Sequence, residues 1–271
     1  MSDPTGSETV NTQCSLTLMG TGTSVGVPVI GCDCEVCQSE DPKNSRWRAG
    51  VLVRAPLGNF VIDTSPELRL QLVRAKCKLV HAAVFTHGHA DHIMGLDDLR
   101  ICGFRLEQDI PLLCEPIVEE QLRQSFNYAF SDKPKAHRFA VPRLSFQTIG
   151  PDDAFELMGM SVIPVRLMHG KLPILGFRIG NIGFCTDVSS IPAASYKKLQ
   201  DLDVLIIDTL REEPHPTHMS LPQALKVIAK LKPKRAFLTH LSHQFEYHAT
   251  NQRLPDNVEL AYDGLELPFE P

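Results

Sequence analysis

Short apolar runs separated by polar turns dominate the chain, and most of them read as β-strands. Strands are predicted at 14–19, 51–55, 59–63, 82–85, 111–114, 161–167, 183–186, 204–207 and 236–239. Longer amphipathic stretches predict helices at 66–75, 115–126, 193–198 and 221–231. The first of these opens on Ser65-Pro66, a capping residue followed by proline at the first helical position. Four of the apolar runs end in the same manner. Phe85-Thr86 leads into His87, Leu167-Met168 into His169, Cys185-Thr186 into Asp187 and Leu238-Thr239 into His240. One strand ending in His or Asp would mean little, but four such endings imply that neighbouring strand ends converge on one place.

The densest chemistry is His87-Gly88-His89-Ala90-Asp91-His92. Alternate residues of an extended chain point the same way, so His87 and His89 can share one metal ion. Asp91 and His92 follow at the entry to a helix expected from around Ile93, and can face a second ion. Imidazole nitrogen with carboxylate oxygen suits zinc, manganese or iron and poorly suits calcium or magnesium. A solvent-facing polar loop is a poor account of four ligand-type side chains in six residues.

Composition sets limits around this picture. The 271 residues, 43% hydrophobic and 22% charged, can bury a substantial core and are not those of a disordered chain. The first 13 residues are polar and predict a loose tail, with one domain over 14–271. A formal charge of −5 argues against a long nucleic-acid contact. No apolar run is long enough for a membrane span, and the start lacks the basic and apolar regions of a signal peptide. Five of the eight cysteines, Cys14, Cys77, Cys102, Cys114 and Cys185, are scattered, whereas Cys32, Cys34 and Cys37 cluster. That pattern favours a reducing, cytoplasmic setting with one thiolate metal site over a disulfide framework. Three thiolates at this spacing suit one tetrahedral zinc and need a fourth ligand, for which His243 is available. A reduced surface loop is the plainer alternative.

His-x-His-x-Asp-His, followed by a later His, a later Asp and a last His, resembles the metallo-β-lactamase superfamily. All positions are present in order as His87, His89, Asp91, His92, His169, Asp187 and His240. The resemblance implies a four-layer αββα sandwich of the α/β class. It implies one ion on His87, His89 and His169, another on Asp91, His92 and His240, and Asp187 bridging both. Asp63 resembles the aspartate that buttresses the metal loop in that family, although a turn-forming Asp is an alternative. Iron redox members carry a carboxylate in place of the second histidine; His89 therefore favours hydrolysis. Cys32, Cys34, Cys37 and His243 are similar to the structural zinc site of phosphoribosyl cyclic phosphate phosphodiesterases and, more distantly, resemble tRNA 3′-processing ribonucleases. Such a site would tie the N-terminal loop to the segment bearing His240.

The expected function is hydrolysis of a small, cyclic phosphodiester such as phosphoribosyl 1,2-cyclic phosphate, with two catalytic zinc or manganese ions and one structural zinc. Asp91 and His218 are the candidate catalytic residues. By resemblance His218 sits beside the substrate phosphate, where it could protonate the leaving alkoxide; capping the helix at 221–231 is the alternative. His215, Arg211 and Lys171 are weaker phosphate-binding candidates, and Arg100 beside Asp97 suggests a local ion pair. His81, His137 and His248 read as surface residues. The glycine-rich stretch from Gly20 to Gly26 lacks the Walker lysine and the dinucleotide spacing, and reads as a tight turn beside the site. Residues 104–149 are the expected lid or specificity region. An RNA-processing nuclease and a non-catalytic zinc-stabilised binding module are the alternatives, and a homodimer stays open.

Overall fold

The computed structural model describes residues 14–131 and 140–270, so the tail expected over 1–13 and His137 lie outside the described residues. Strands β1 (Cys14–Gly20), β2 (Gly50–Ala55), β3 (Gly58–Ile62), β4 (Ala82–Val84), β5 (Ile110–Cys114) and β6 (Leu144–Thr148) belong to one sheet. Strands β7 (Phe155–Leu157), β8 (Met160–His169), β9 (Leu172–Ile179), β10 (Ile182–Cys185), β11 (Val204–Asp208), β12 (Arg235–Thr239) and β13 (Val258–Leu260) form a second. The last strand, β14 (Leu265–Phe269), returns to the first sheet beside β1. Each sheet has seven strands, in the orders β14-β1-β2-β3-β4-β5-β6 and β13-β12-β11-β10-β9-β8-β7. Helices α1 (Leu68–Arg74), α2 (Ala90–Ile93), α3 (Arg100–Leu106), α4 (Pro116–Ser125) and α5 (Asn127–Phe130) cover the first sheet, and α6 (Leu221–Leu231) and α7 (Tyr247–Asn251) the second. This is the expected αββα sandwich.

The strands read as nearly unbroken apolar runs because both faces of each sheet are covered. Val51 and Val53 of β2 enter the core between the sheets, while Leu52 points outward to the core under the helices. In β11, Ile206 faces the first sheet, and Leu205 and Ile207 face α6. Helix α6 answers with Leu221, Ala224, Val227, Ile228 and Leu231, one stripe at helical spacing. Ser220 and Gln223 close its start as a capping box.

Strand direction explains why the chemistry gathers. Strands β3 to β6 run parallel, as do β10 to β13. Strand β8 is antiparallel to β9, which is antiparallel to β10, so β8 shares the direction of β10. The carboxyl ends of β3, β4, β8, β10, β11 and β12 therefore carry Asp63, His87, His169, Asp187, Asp208 and His240 to one rim, the usual place for a ligand in an open parallel sheet.

Several elements depart from expectation. Helix α1 starts at Leu68 with Glu67 at its cap position, not at Pro66, because Thr64 bonds the His92 and Gly95 backbones and holds this stretch in a turn. The segment expected as a helix over 193–198 is a 3-10 helix over Ala193–Leu199. Helix α2 begins at Ala90, earlier than expected, so Asp91 and His92 lie within its single turn. The described part of the span 104–149 is not a lid, since it supplies α4, α5 and sheet strands β5 and β6. Among the described residues no helix is long and apolar enough to cross a membrane.

The glycine turn after β1 is held by Asp263. Its Oδ1 accepts from Thr21 N–H at 2.9 Å and Thr21 Oγ1–H at 2.7 Å, and its Oδ2 from Trp47 N–H at 2.7 Å. Burial pushes this carboxyl up to about 6 despite those donors. The folded protein thus holds a proton there more tightly than the unfolded chain, whose carboxyl titrates near 4 (~3.9). Its contribution to stability is fullest below about pH 4 and is lost as pH rises to about 6. Asp263→Asn should remove that slope from the urea midpoint measured against pH. A wild-type slope kept by the variant over this window would refute the assignment.

Candidate metal centre

The rim assembles all seven candidate ligands. His87, at 2% exposure, follows β4, and His89 stands exposed two residues later, at the mouth. The ring centroids of His87 and His89 are 4.5 Å apart, those of His87 and His169 5.6 Å, and those of His89 and His169 5.1 Å. On the other side, ligand atoms of Asp91, His92, Asp187 and His240 all lie within 4.8 Å of one another. Asp187 reaches both sets. Its Oδ2 is 3.9 Å from His87 Nε2 and 3.4 Å from His240 Nε2, and its Oδ1 is 3.3 Å from His92 Nε2.

Hydrogen bonds behind the ligands set which ring nitrogen faces the centre. Asp63 Oδ2 accepts from His92 Nδ1 at 2.7 Å and from Thr86 Oγ1 at 2.8 Å, and Asp63 Oδ1 accepts from Thr86 N–H at 2.8 Å. Asp63 also occupies the left-handed region at φ 64°, so the buttress and the turn former are the same residue. His169 Nδ1 donates to Asp187 O at 2.9 Å, and Thr186 Oγ1 donates to Asp187 Oδ1 at 2.8 Å. Asp187 and His240 share the left-handed backbone, at φ 53° and 60°, which turns the chain sharply as each strand ends.

The Nε2 atoms of His87 and His92 and both ring nitrogens of His240 are buried with no hydrogen-bond partner. Buried donors and acceptors are ordinarily satisfied, so several orphaned imidazole nitrogens around two carboxylates are what a divalent-ion site requires. The electrostatics agree. Burial disfavours the Asp91 carboxylate, but the His92 charge outweighs it and holds the carboxyl well below the usual range. Burial likewise opposes the His92 and His240 cations, yet Asp187 and its fellow carboxylates raise both, His240 to about 9. In place of protons, metal ions could satisfy the same carboxylates.

His218 lies beside this centre at 9% exposure. Its ring stacks on His240 with centroids 4.7 Å apart and meets His169 edge-on at 4.6 Å. Nδ1 is 2.7 Å from Asp208 Oδ2, leaving Nε2 as the free ring nitrogen. It does not cap α6, since Ser220 does. Burial and the His240 charge push His218 down to about 4, while burial raises Asp208 well above the usual carboxylate range. Asp208 was not among the sequence candidates, although Ile206-Ile207-Asp208 is one more apolar run ending in a ligand-type residue.

The weaker candidates separate. His215 stays close, 5.2 Å from the His218 ring, with Nδ1 accepting from Thr217 N–H at 3.3 Å. Arg211 is turned to its own loop, donating to Glu213 O and Pro214 O, and Lys171 is exposed. Arg100 pairs with Asp97 at 2.6 Å, as expected. His248 lies on the surface as expected and pairs with Asp41 at 2.9 Å, whereas His81 is half-buried and its Nδ1 accepts from Asn59 N–H at 3.0 Å. The glycine turn runs beside His240, with Gly22 bridged to Leu241 and Arg48.

The cysteine loop forms the predicted second cluster. Cys32, Cys34 and Cys37 sulfurs lie 3.3, 3.5 and 3.5 Å from His243 Nδ1. A zinc tetrahedron with ordinary Zn–S and Zn–N bonds has S···N edges of about 3.6 Å, so the donor set fits that ion. Cys34 is pushed down to about 7, chiefly by the Cys37 N–H bonded to its sulfur, whereas burial raises Cys37 to about 11. All eight cysteines are free thiols.

Known proteins place this architecture. The beta-lactamase superfamily domain matches residues 58–241. A protein of Porphyromonas gingivalis named octanoyltransferase is 38% identical over 253 residues, 92% of this chain; the chain spans about half (50%) of that curated relative's length. The crystal structure of a diphosphatase described as new in the PhnP family superposes with a TM-score of 0.88 at 41% identity, covering 95% of this chain and 97% of that one. Human tRNase Z, short form, shares the fold at a TM-score of 0.66 and 19% identity, over 93% of this chain and 98% of that one. Sandwich and sequence agree: the chain belongs to the beta-lactamase superfamily and has its metallo-β-lactamase fold.

Proposed function

We propose that this protein is a metal-dependent hydrolase acting at phosphorus on a small phosphodiester, a cyclic phosphate such as phosphoribosyl 1,2-cyclic phosphate being the leading candidate. The observation that carries the reading is the Asp208–His218 pair beside the ligand cluster, a group able to handle a proton and outside the two proposed ligand sets. His87, His89 and His169 would hold one ion, Asp91, His92 and His240 the other, with Asp187 between them. When bound, zinc or manganese ions would polarise the phosphoryl group and acidify a water. Asp63 and Thr86 keep His92 and His87 turned inward. His218 is placed to hold a proton at Nε2 for the departing alkoxide, and Asp208 anchors its ring. Cys32, Cys34, Cys37 and His243 would hold structural zinc.

The 41% identical diphosphatase supports phosphorus chemistry and favours one second reading, hydrolysis of a phosphoanhydride at the same site. Because this chain covers half of the Porphyromonas octanoyltransferase, octanoyl transfer is not carried over to it. The net charge of −5 supports a small substrate over tRNA. Chelator-treated protein should lose hydrolysis of bis(p-nitrophenyl) phosphate and of a five-membered cyclic phosphate, and regain it with zinc or manganese. Metal-replete protein that cleaves neither, or that prefers precursor tRNA, would overturn the proposal.

A further inference from the structure

Arg46 is among the largest fully buried side chains, at 1% exposure, and it lies between the two clusters. Its backbone belongs to the cysteine side: Arg46 N–H donates to Val27 O at 2.7 Å, and Val27 N–H returns to Arg46 O at 2.8 Å. Val27 packs with Val36 and Cys37. The guanidinium reaches the other way. Nη1 donates to Ser242 O at 2.9 Å, and Nη2 to Phe245 O at 2.6 Å and, more weakly, to Asn44 Oδ1 at 3.4 Å. Those two carbonyls bracket His243, and Ser242 is two residues from His240.

A buried guanidinium ordinarily pairs with a carboxylate. Among the described residues the hydrogen bonds of Arg46 go to two backbone carbonyls and one side-chain amide instead. Burial lowers it to about 10, so it stays cationic at neutral pH, supported by the charges of Asp263, Glu246, Cys37 and Asp41. Three thiolates and a neutral imidazole around a zinc dication would leave one net negative charge on the cluster whose Cys37 already supports the Arg46 cation. That charge would add to those of Asp263, Glu246 and Asp41 in holding the cation, and the fork has its acceptors in the loop after His240.

We propose that Arg46 is a positioning residue that couples the cysteine–histidine metal site to His240, balancing the metal–thiolate charge while its two-pronged hydrogen bond fixes the Ser242–Phe245 loop. The inference rests on reading Cys32, Cys34, Cys37 and His243 as a zinc site. A lysine keeps the charge but offers one ammonium where two divergent donors are needed, so the conservative variant should not rescue.

The test uses Arg46→Lys and Arg46→Met with the wild type. In both variants zinc should pass from the cysteine site to a chromogenic chelator at least ~10-fold faster, and kcat should fall roughly 10–100-fold with KM within about twofold. Arg46→Lys matching the wild type in zinc release and kcat would overturn the coupling. Wild-type protein provides a second arm that no folding defect can obscure. Stripping its structural zinc should speed amide hydrogen exchange across residues 240–247 by about tenfold or more, and unchanged exchange would overturn the proposal. Zinc content separates the two levels: wild-type protein that never holds zinc on the cysteines refutes the metal site and the coupling together. Zinc held normally and indifferent to Arg46 refutes the coupling alone.

Discussion

Asp187→Ala is expected to lower kcat/KM for a phosphodiester by about 10³-fold or more, equivalent to ~4 kcal/mol, in a protein that still folds. Asp187 is the carboxylate that approaches ring nitrogens of both ligand sets, 3.9 Å from His87 Nε2 and 3.3–3.4 Å from His92 and His240 Nε2. It is buried, and removing it leaves those imidazoles facing one another without their shared anion. Affinity for divalent ions should fall with activity, since His240 and His92 owe much of their raised basicity to this group. The fold should survive because Val188, the apolar residue next to it, packs in the core beneath α6, which Asp187 does not enter. Metal content by mass spectrometry, circular dichroism and steady-state kinetics measure the three outcomes. Full metal occupancy with activity within about tenfold of wild type would remove Asp187 from the centre.

His218→Ala should lower kcat by roughly 10²–10⁴-fold and leave metal content unchanged. The ring touches His169 and His240 but bonds through Nδ1 to Asp208, so its loss removes a proton carrier and leaves both proposed ligand sets intact. Asp208→Asn is the milder companion. With the Asp208 carboxyl raised by burial, an amide can replace it as the donor to Nδ1 but has no acidic proton to pass on, and a loss of about 10–100-fold is expected. A His218→Ala enzyme that loses its metal would make His218 a ligand, and one that turns over within about twofold of wild type would make it a bystander.

Much of this centre is legible in the amino-acid sequence. The cluster from His87 to His92 and the matching ends at His169, Asp187 and His240 stand out, because a parallel strand buried on both faces leaves an apolar run that stops where the chain reaches the rim. Cysteine spacing likewise points to Cys32, Cys34 and Cys37. Asp208 carries the same strand-end signal and still escapes notice, since Ile207-Asp208-Thr209 has no neighbouring ligand-type residue. Arg46 gives no signal at all. A lone arginine in Ser45-Arg46-Trp47-Arg48 resembles a solvated surface stretch, and only its partners about 200 residues later (Ser242 and Phe245, 196 and 199 away) show it buried.

The span 104–149 misleads for a related reason. Its arginines, lysines and tyrosine suggest a lid, yet the apolar Ile110, Leu112 and Leu113 commit its described part to the sheet. Single strands such as β6, with only half-buried or exposed side chains, show too little periodicity to be recognised alone.

Side-chain type and local spacing are enough to say which residues can bind metal and where the apolar strands end, and the family resemblance adds that hydrolysis is favoured over redox chemistry. Such properties survive in one dimension. Long-range packing was needed to show that six strand ends share one rim, that Asp187 stands between two ligand sets, that Asp208 holds His218, and that Arg46 joins the cysteine cluster to the His240 loop. Each of those depends on strand direction and on contacts across some 10 to 200 residues, which no local pattern encodes.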